Sequence, residues 1–225
     1  MNNHDLLGMV EYAALAYAKH PPYDPKGPTQ MFSVDRVGAQ YLLRKKNGEL
    51  QIAFRGTDTL KGVLSDIRFW KKNVPYGNTR TPIRVHTGFF DAYTGSGVRD
   101  VIHTFVTEDV RKISIVGHSY GAALAVLCAV DLEQNFRNRE YSAVLFGCPR
   151  VGNAAFVRSY NRRVFNTFRV ENSNDIVTKL PLCMFGYRHV GIRLHVGAPR
   201  LLGVMSVRSH NLREYYSRIW QRIKN

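Results

Sequence analysis

The chain has 225 residues, 44% of them hydrophobic, and carries 32 Lys and Arg against 17 Asp and Glu, a formal net charge of +15. The hydrophobic share excludes a disordered or fibrous polymer and predicts one compact domain over residues 1–225 with a substantial buried core. No apolar run reaches about 18 residues, Asp5 and Glu11 interrupt the first apolar stretch, and Cys128, Cys148 and Cys183 are an odd set at unrelated spacings, so a membrane-spanning helix, a cleaved signal peptide and a disulfide or zinc framework are not expected, and a cytoplasmic or peripheral-membrane location is.

Apolar residues recur at helical spacing from Leu6 to Ala18 and stop at Pro21-Pro22, which predicts a helix and then a loop to Pro28. Two strands follow, Gly38 to Arg44 and Leu50 to Phe54, joined by a hairpin with Asn47-Gly48 at its turn. Leu60 to Trp70 places Leu60, Val63, Leu64, Ile67 and Trp70 on one face, a short amphipathic helix. Gly97 to Val110 reads as a helix, Lys112 to Val116 as a β-branched strand and Ala122 to Asn135 as a helix rich in alanine, leucine and valine. Strands at Ser142 to Phe146, Val164 to Val170 and along the alternation from Tyr187 to Val196 precede a last helix, Leu212 to Ile223. This order predicts an α/β fold with a mostly parallel central sheet and helices on both faces, in which ligands sit beyond the carboxyl ends of the strands.

Gly117-His118-Ser119-Tyr120-Gly121 matches G-x-S-x-G, a pattern that chance alone puts in roughly one chain of this size in ten. Its context decides. The strand Lys112 to Val116 runs straight into it and a helix former follows at Ala122, which is the strand-turn-helix elbow that exposes a nucleophilic serine. A serine hydroxyl needs a histidine to take its proton and an acid to orient that histidine, and in this arrangement both follow it in the chain, acid first. The histidines after Ser119 are His189, His195 and His210. The first two lie in a strand-like alternation, where a structural histidine is the commoner case, whereas His210 sits in a loop before the last helix and is the expected base.

Of the acids, Asp131 lies in the helix after the elbow, roughly 18 Å along it from Ser119. Glu140 precedes a strand and Glu214 is in the last helix, while Asp175 follows a late strand, where the orienting acid belongs. An oxyanion needs two donors. One is expected from the amide of Tyr120, just after the nucleophile, and the other from an earlier strand-loop junction, where Arg55, Gly56 and Thr57 end the second early strand and Thr57 offers both an amide and a hydroxyl.

Taken together, FRGTDTL, HTGFFDAY, GHSYGA, CPRVGN, NDIVTKLP and the late His210 resemble the class 3 lipase family, over about Ala39 to His210. The resemblance implies an α/β-hydrolase fold, a triad of Ser119, Asp175 and His210, an oxyanion hole from Thr57 and Tyr120, and neither cofactor nor metal. It also implies a lid after the oxyanion segment, where Leu60 to Trp70 falls, with Lys61, Arg68, Lys71, Lys72, Arg80 and Arg84 as a basic margin.

The expected activity is hydrolysis of a carboxylic ester of a lipid, of triacylglycerol lipase or phospholipase A1 type, through an acyl-enzyme on Ser119. Interception of that intermediate by another alcohol, giving acyl transfer, is one rival, and a silent lipase-like module binding anionic lipid is another. The charge of +15 points to peripheral contact with an anionic membrane surface. No nucleic-acid reader motif accompanies it, so nucleic acid is not an expected partner.

Overall fold

A computed structural model describes residues 1–18, 29–34 (backbone only), 39–57, 70–75, 81–95, 97–198 and 204–224. Of the expected lid helix only Trp70 falls among them, and the proline-rich loop lies outside them.

Seven strands form the central sheet: β1 (Thr29–Val34), β2 (Ala39–Lys46), β3 (Glu49–Phe54), β6 (Lys112–His118), β7 (Glu140–Phe146), β8 (Thr167–Asn172) and β9 (Ile192–Val196), side by side in that order. The first three pair antiparallel and the rest parallel. Asn47 (φ 50°) and Gly48 (φ 73°) make the β2–β3 turn, the positive-φ pair that a two-residue hairpin requires. A separate ribbon joins β4 (Lys71–Asn73) to β5 (Arg84–His86).

Alternation along the strands sends side chains into two cores. Tyr41, Leu43, Ile52, Phe54, Ile115 and Leu145 meet helix α4 (Tyr120–Asn135), with α2 (Thr87–Thr94) and α3 (Val98–Thr104) beyond it. Leu42, Ala53, Val116, Val144, Phe146 and Val170 face the other way, onto α1 (Asn3–Leu15) and α6 (Leu212–Lys224). Being apolar on both faces is what a parallel sheet covered on both sides demands of its strands. Helix α4 is buried from Gly121 to Leu132, and each leucine or valine it hides contributes about 1.5–3 kcal/mol.

Strand β1, the β4–β5 ribbon and helix α2 have no counterpart in the sequence reading, and the structure departs from it at further points between α3 and β8. Helix α3 stops at Thr104, where Phe105 and Val106 donate to carbonyls three residues back and tighten the turn; the expected helix to Val110 is not formed, and beyond Val106 the chain turns, with Val110 N–H donating to the Thr107 carbonyl at 3.1 Å. Val164 donates to Tyr160 and closes a helix, so the strand expected from Val164 starts at Thr167. That helix, α5 (Ala154–Arg163), capped by Asn153, had no counterpart in the reading. Its polar, arginine-rich sequence hides an amphipathic face of Ala155, Phe156 and Tyr160.

Candidate active site

Strand β6 delivers the chain into the elbow at the carboxyl end of the sheet, and Ser119 adopts φ 58°, ψ −126°. A residue with a side chain strained in this way costs of order 1–3 kcal/mol and persists only where its surroundings over-determine it. Here the Ser119 N–H donates to the Phe146 carbonyl at 2.9 Å, and the Ser119 carbonyl accepts from Ala122 N–H at 3.0 Å. A Cβ at Gly117 would collide with the Gly121 backbone, and one at Gly121 with the backbone of Phe54 and Arg55, so the tight crossing needs both glycines.

Strand β8 ends at Asn172, and the loop beyond it carries Asp175, whose side chain is wholly buried. His210, 4% exposed, lies in a short 3-10 turn (Arg208–His210) before α6. Its Nδ1 donates to the Asp175 carboxylate, 2.9 Å from Oδ2 and 3.0 Å from Oδ1. The two loops are tied together by Ser206 N–H to Asn174 O (2.8 Å), Ile176 N–H to Ser206 O (3.3 Å) and Asn172 Nδ2 to Ser209 O (2.9 Å). Asp175 also accepts from Val177 N–H at 2.9 Å and from the Tyr215 hydroxyl at 2.5 Å. Burial, with the Asp175 charge beside it, pushes the Tyr215 phenol well above its ordinary range, so it remains a donor. Gly147 (φ 57°) lies against this pair, and a Cβ there would meet Asp175 Oδ2 and the His210 ring at under 3 Å.

With Nδ1 donating to the carboxylate, Nε2 of neutral His210 carries the lone pair. That nitrogen is buried and has no hydrogen-bond partner among the described residues; Ser119 Oγ does not bond to it. The Thr57 hydroxyl is in the same condition. Both residues are among those that line one cavity of about 990 Å³. Tyr120 opens α4, and amides in a helix's first turn lack intrahelical partners and favour developing negative charge.

A hydrogen-bonded chain braces these parts from behind. His118 Nε2 donates to the His210 carbonyl at 2.8 Å, which leaves Nδ1 to accept from the Tyr17 hydroxyl at 2.6 Å. The Tyr17 oxygen in turn accepts from Gly56 N–H at 3.0 Å. Burial above all, then the neighbouring His210, lowers the His118 pKa to about 3, so it is a neutral strut.

The structure thus brings Asp175 and His210 together and keeps the other candidates apart. His189 Nε2 is engaged by the Thr178 carbonyl and His195 Nε2 by that of Ala198. Asp131 is held by Tyr93, Arg99 and His103, Glu214 by Arg208, and Glu140 opens β7 at the opposite end of the sheet. Sequence reasoning missed Tyr17, His118, Gly147 and Tyr215. Tyr215 and Ile219, four apart, are the buried residues of the last helix; the available signal was that a buried tyrosine hydroxyl requires a partner.

The family model for lipase (class 3) matches residues 51–185. The chain is 32% identical over 151 residues to phospholipase A(1) DAD1, chloroplastic, of Arabidopsis thaliana, covering 59% of this chain and 34% of that protein. It is 32% identical over 148 residues to a lipase of Rhizomucor miehei, covering 63% and 40%. It therefore spans between a third and a half of the length of these relatives. A solved triacylglycerol lipase whose catalytic centre is a serine protease triad superposes with a TM-score of 0.77 at 22% identity, over 93% of this chain and 94% of its own. The Rhizomucor miehei triacylglyceride lipase structure does so at 0.71 and 23%, over 87% and 82%. At these identities the superpositions establish the fold, an α/β-hydrolase sheet with its flanking helices.

Proposed function

The chain belongs to the class 3 lipase family, and on that footing we propose that it is a serine hydrolase cleaving carboxylic esters of lipids, of triacylglycerol lipase or phospholipase A1 type. Ser119 is the nucleophile, His210 the base and Asp175 its orienting partner, with Thr57 and Tyr120 as oxyanion donors. The observation that carries this reading is the unpartnered, buried Nε2 of His210, oriented through Nδ1 by Asp175, on a residue that lines one cavity together with Thr57.

His210 Nε2 takes the Ser119 proton as Oγ attacks the ester carbonyl, and the oxyanion forms against the donors from Thr57 and Tyr120. The same proton passes to the leaving alcohol, an acyl-Ser119 ester remains, and water hydrolyses it with His210 again as base. A catalytic contact between serine and histidine that is longer than a hydrogen bond without substrate is ordinary and tightens in the complex.

An anionic lipid surface is the proposed place of work. Trp70 (75% exposed), Met184 (78%) and Phe185 (41%) are bared, with Lys71 and Arg188 bonded into the same loop at the Phe185 and Cys183 carbonyls. Of the basic margin, Lys71, Lys72 and Arg84 are described, and Lys61, Arg68 and Arg80 lie outside the described residues.

The test is release of p-nitrophenol from short and long acyl esters by the wild type and by Ser119→Ala, with a fluorophosphonate probe alongside. Turnover and labelling that both vanish in a folded Ser119→Ala protein are expected. Ester turnover retained by that variant, or a folded wild type that neither turns over nor labels, would refute the assignment.

A further inference from the structure

The cavity that holds Thr57 and His210 does not stop at them. It continues as a trough between the amino-terminal helix and the last one, walled by Val10, Ala14 and Ala18 on one side and by Val207, Leu212 and Tyr216 on the other. On α1, Val10 and Ala14 are four residues apart, one stripe of the helix, and Ala18 lies four beyond in the turn that follows; on α6, Leu212 and Tyr216 are likewise four apart, so each helix offers one row to the trough. Its volume, about 990 Å³, is at the upper end of the range for ligand pockets, about 300–1,000 Å³. Two charged residues, Glu11 and Arg213, border it, and being of opposite sign they give it no net preference for an anion.

Resting on the serine-hydrolase reading above, we infer that this trough seats the alcohol half of the ester, a glycerol that still carries an acyl chain, rather than the acyl half. The argument is one of proton geography. His210 must deliver its proton to the oxygen that leaves, so the alcohol departs on the side of the His210 ring. The trough runs from His210 and His118 outward between α1 and α6, on the face of the sheet opposite α4. An apolar wall there favours a retained hydrocarbon chain, because burying each methylene is worth about 0.8 kcal/mol. A glycerol backbone stripped of its chains would find little to contact.

The experiment holds the acyl group constant as butyrate and varies the alcohol, from methyl and p-nitrophenyl to dodecyl and to a glycerol bearing one long alkyl ether. Two variants obstruct the trough from opposite walls at exposed positions, Ala14→Trp on α1 and Ser217→Trp on α6. In the wild type kcat/KM should climb with alcohol length. Each variant should lower kcat/KM for the long-alcohol esters by about tenfold or more while leaving methyl and p-nitrophenyl butyrate within about twofold. A long-to-short alcohol ratio unchanged in both variants would overturn the inference. So would a loss that instead tracks acyl length in a parallel series of methyl esters, because the trough would then hold the acyl chain. Failure of the wild type to hydrolyse any ester would remove the hydrolase reading and this inference with it, and the Ser119→Ala control tells that case from the others.

Discussion

Asp175 is wholly buried and has three donors converging on it, from His210, Val177 and Tyr215, yet they are not of equal weight for the chemistry. In the proposed mechanism only the bond to His210 fixes which ring nitrogen is the base. Asp175→Asn keeps the shape and loses that tautomer, and kcat should fall by about 10⁴. Tyr215→Phe removes one hydroxyl bond of about 1.5–3 kcal/mol to a charged group, so kcat and thermal stability should both drop modestly while the pattern of fluorophosphonate labelling persists. Equal losses of kcat in the two variants would place Tyr215 on a par with the triad. His118 carries a separate prediction. Its folded pKa is lowered to about 3 against an ordinary value of 6.5, so between those limits the unfolded chain binds the extra proton and stability rises with pH. His189, pushed down by burial and then by Arg169, acts with the same sign. The melting temperature should fall from pH 7 to pH 5, above the range where ordinary carboxylates titrate, and fall less steeply in His118→Gln. A wild-type melting temperature flat over that interval would refute it.

At the level of the element, the elbow is the place where local preference and global need conflict. Strand β6 and helix α4 are both favoured by their own sequences, but they can meet at this angle only if Ser119 accepts φ 58°. Glycine would relieve about 1–3 kcal/mol of that strain and give back about 0.5–1 kcal/mol through the freedom it gains when unfolded. Ser119→Gly should therefore be more stable than the wild type by about 1 kcal/mol in chemical denaturation, while having no turnover. A destabilised Ser119→Gly protein would mean that the serine side chain itself supports the elbow. Helices α1 and α6 show the complementary case of agreement. Asn2 and Asp5 cap α1 reciprocally, its Leu6, Val10 and Ala13 meet Tyr215 and Ile219 of α6 in one core, and the same packing that hides Tyr215 aims its hydroxyl at Asp175.

The whole molecule carries a charge of +15, and the exposed Trp70, Met184 and Phe185 stand beside Lys71 and Arg188. Near an anionic bilayer each Lys or Arg contributes about 1 kcal/mol, an attraction that falls off within a Debye length. Binding to vesicles containing phosphatidylserine should weaken steeply between low and physiological salt, and Phe185→Ala with Met184→Ala should lower what remains at high salt. Binding indifferent to salt and to lipid charge would exclude this surface as an electrostatic one.

Much of this protein was legible in its sequence for physical reasons. Strand alternation, the Asn47-Gly48 turn and the alanine-leucine run after the elbow are local preferences that the fold obeys, and Asp175 and His210, which the structure brings together, were legible as candidates because each is carried by a loop beside a regular element. What the sequence hid is of another kind. Helix α3 ended in a tightened turn at Phe105 and Val106 that its apolar spacing did not signal, and α5 was concealed by its arginines. Tyr17, His118, Gly147 and Tyr215 became visible only once segments distant in the chain were brought into contact, 40 residues apart for Tyr215 and Asp175 and 92 and 101 for His118 with His210 and with Tyr17. Period and spacing report which face of an element is buried. Only the packed structure decides which hydroxyl reaches a carboxylate, because that depends on where two elements cross.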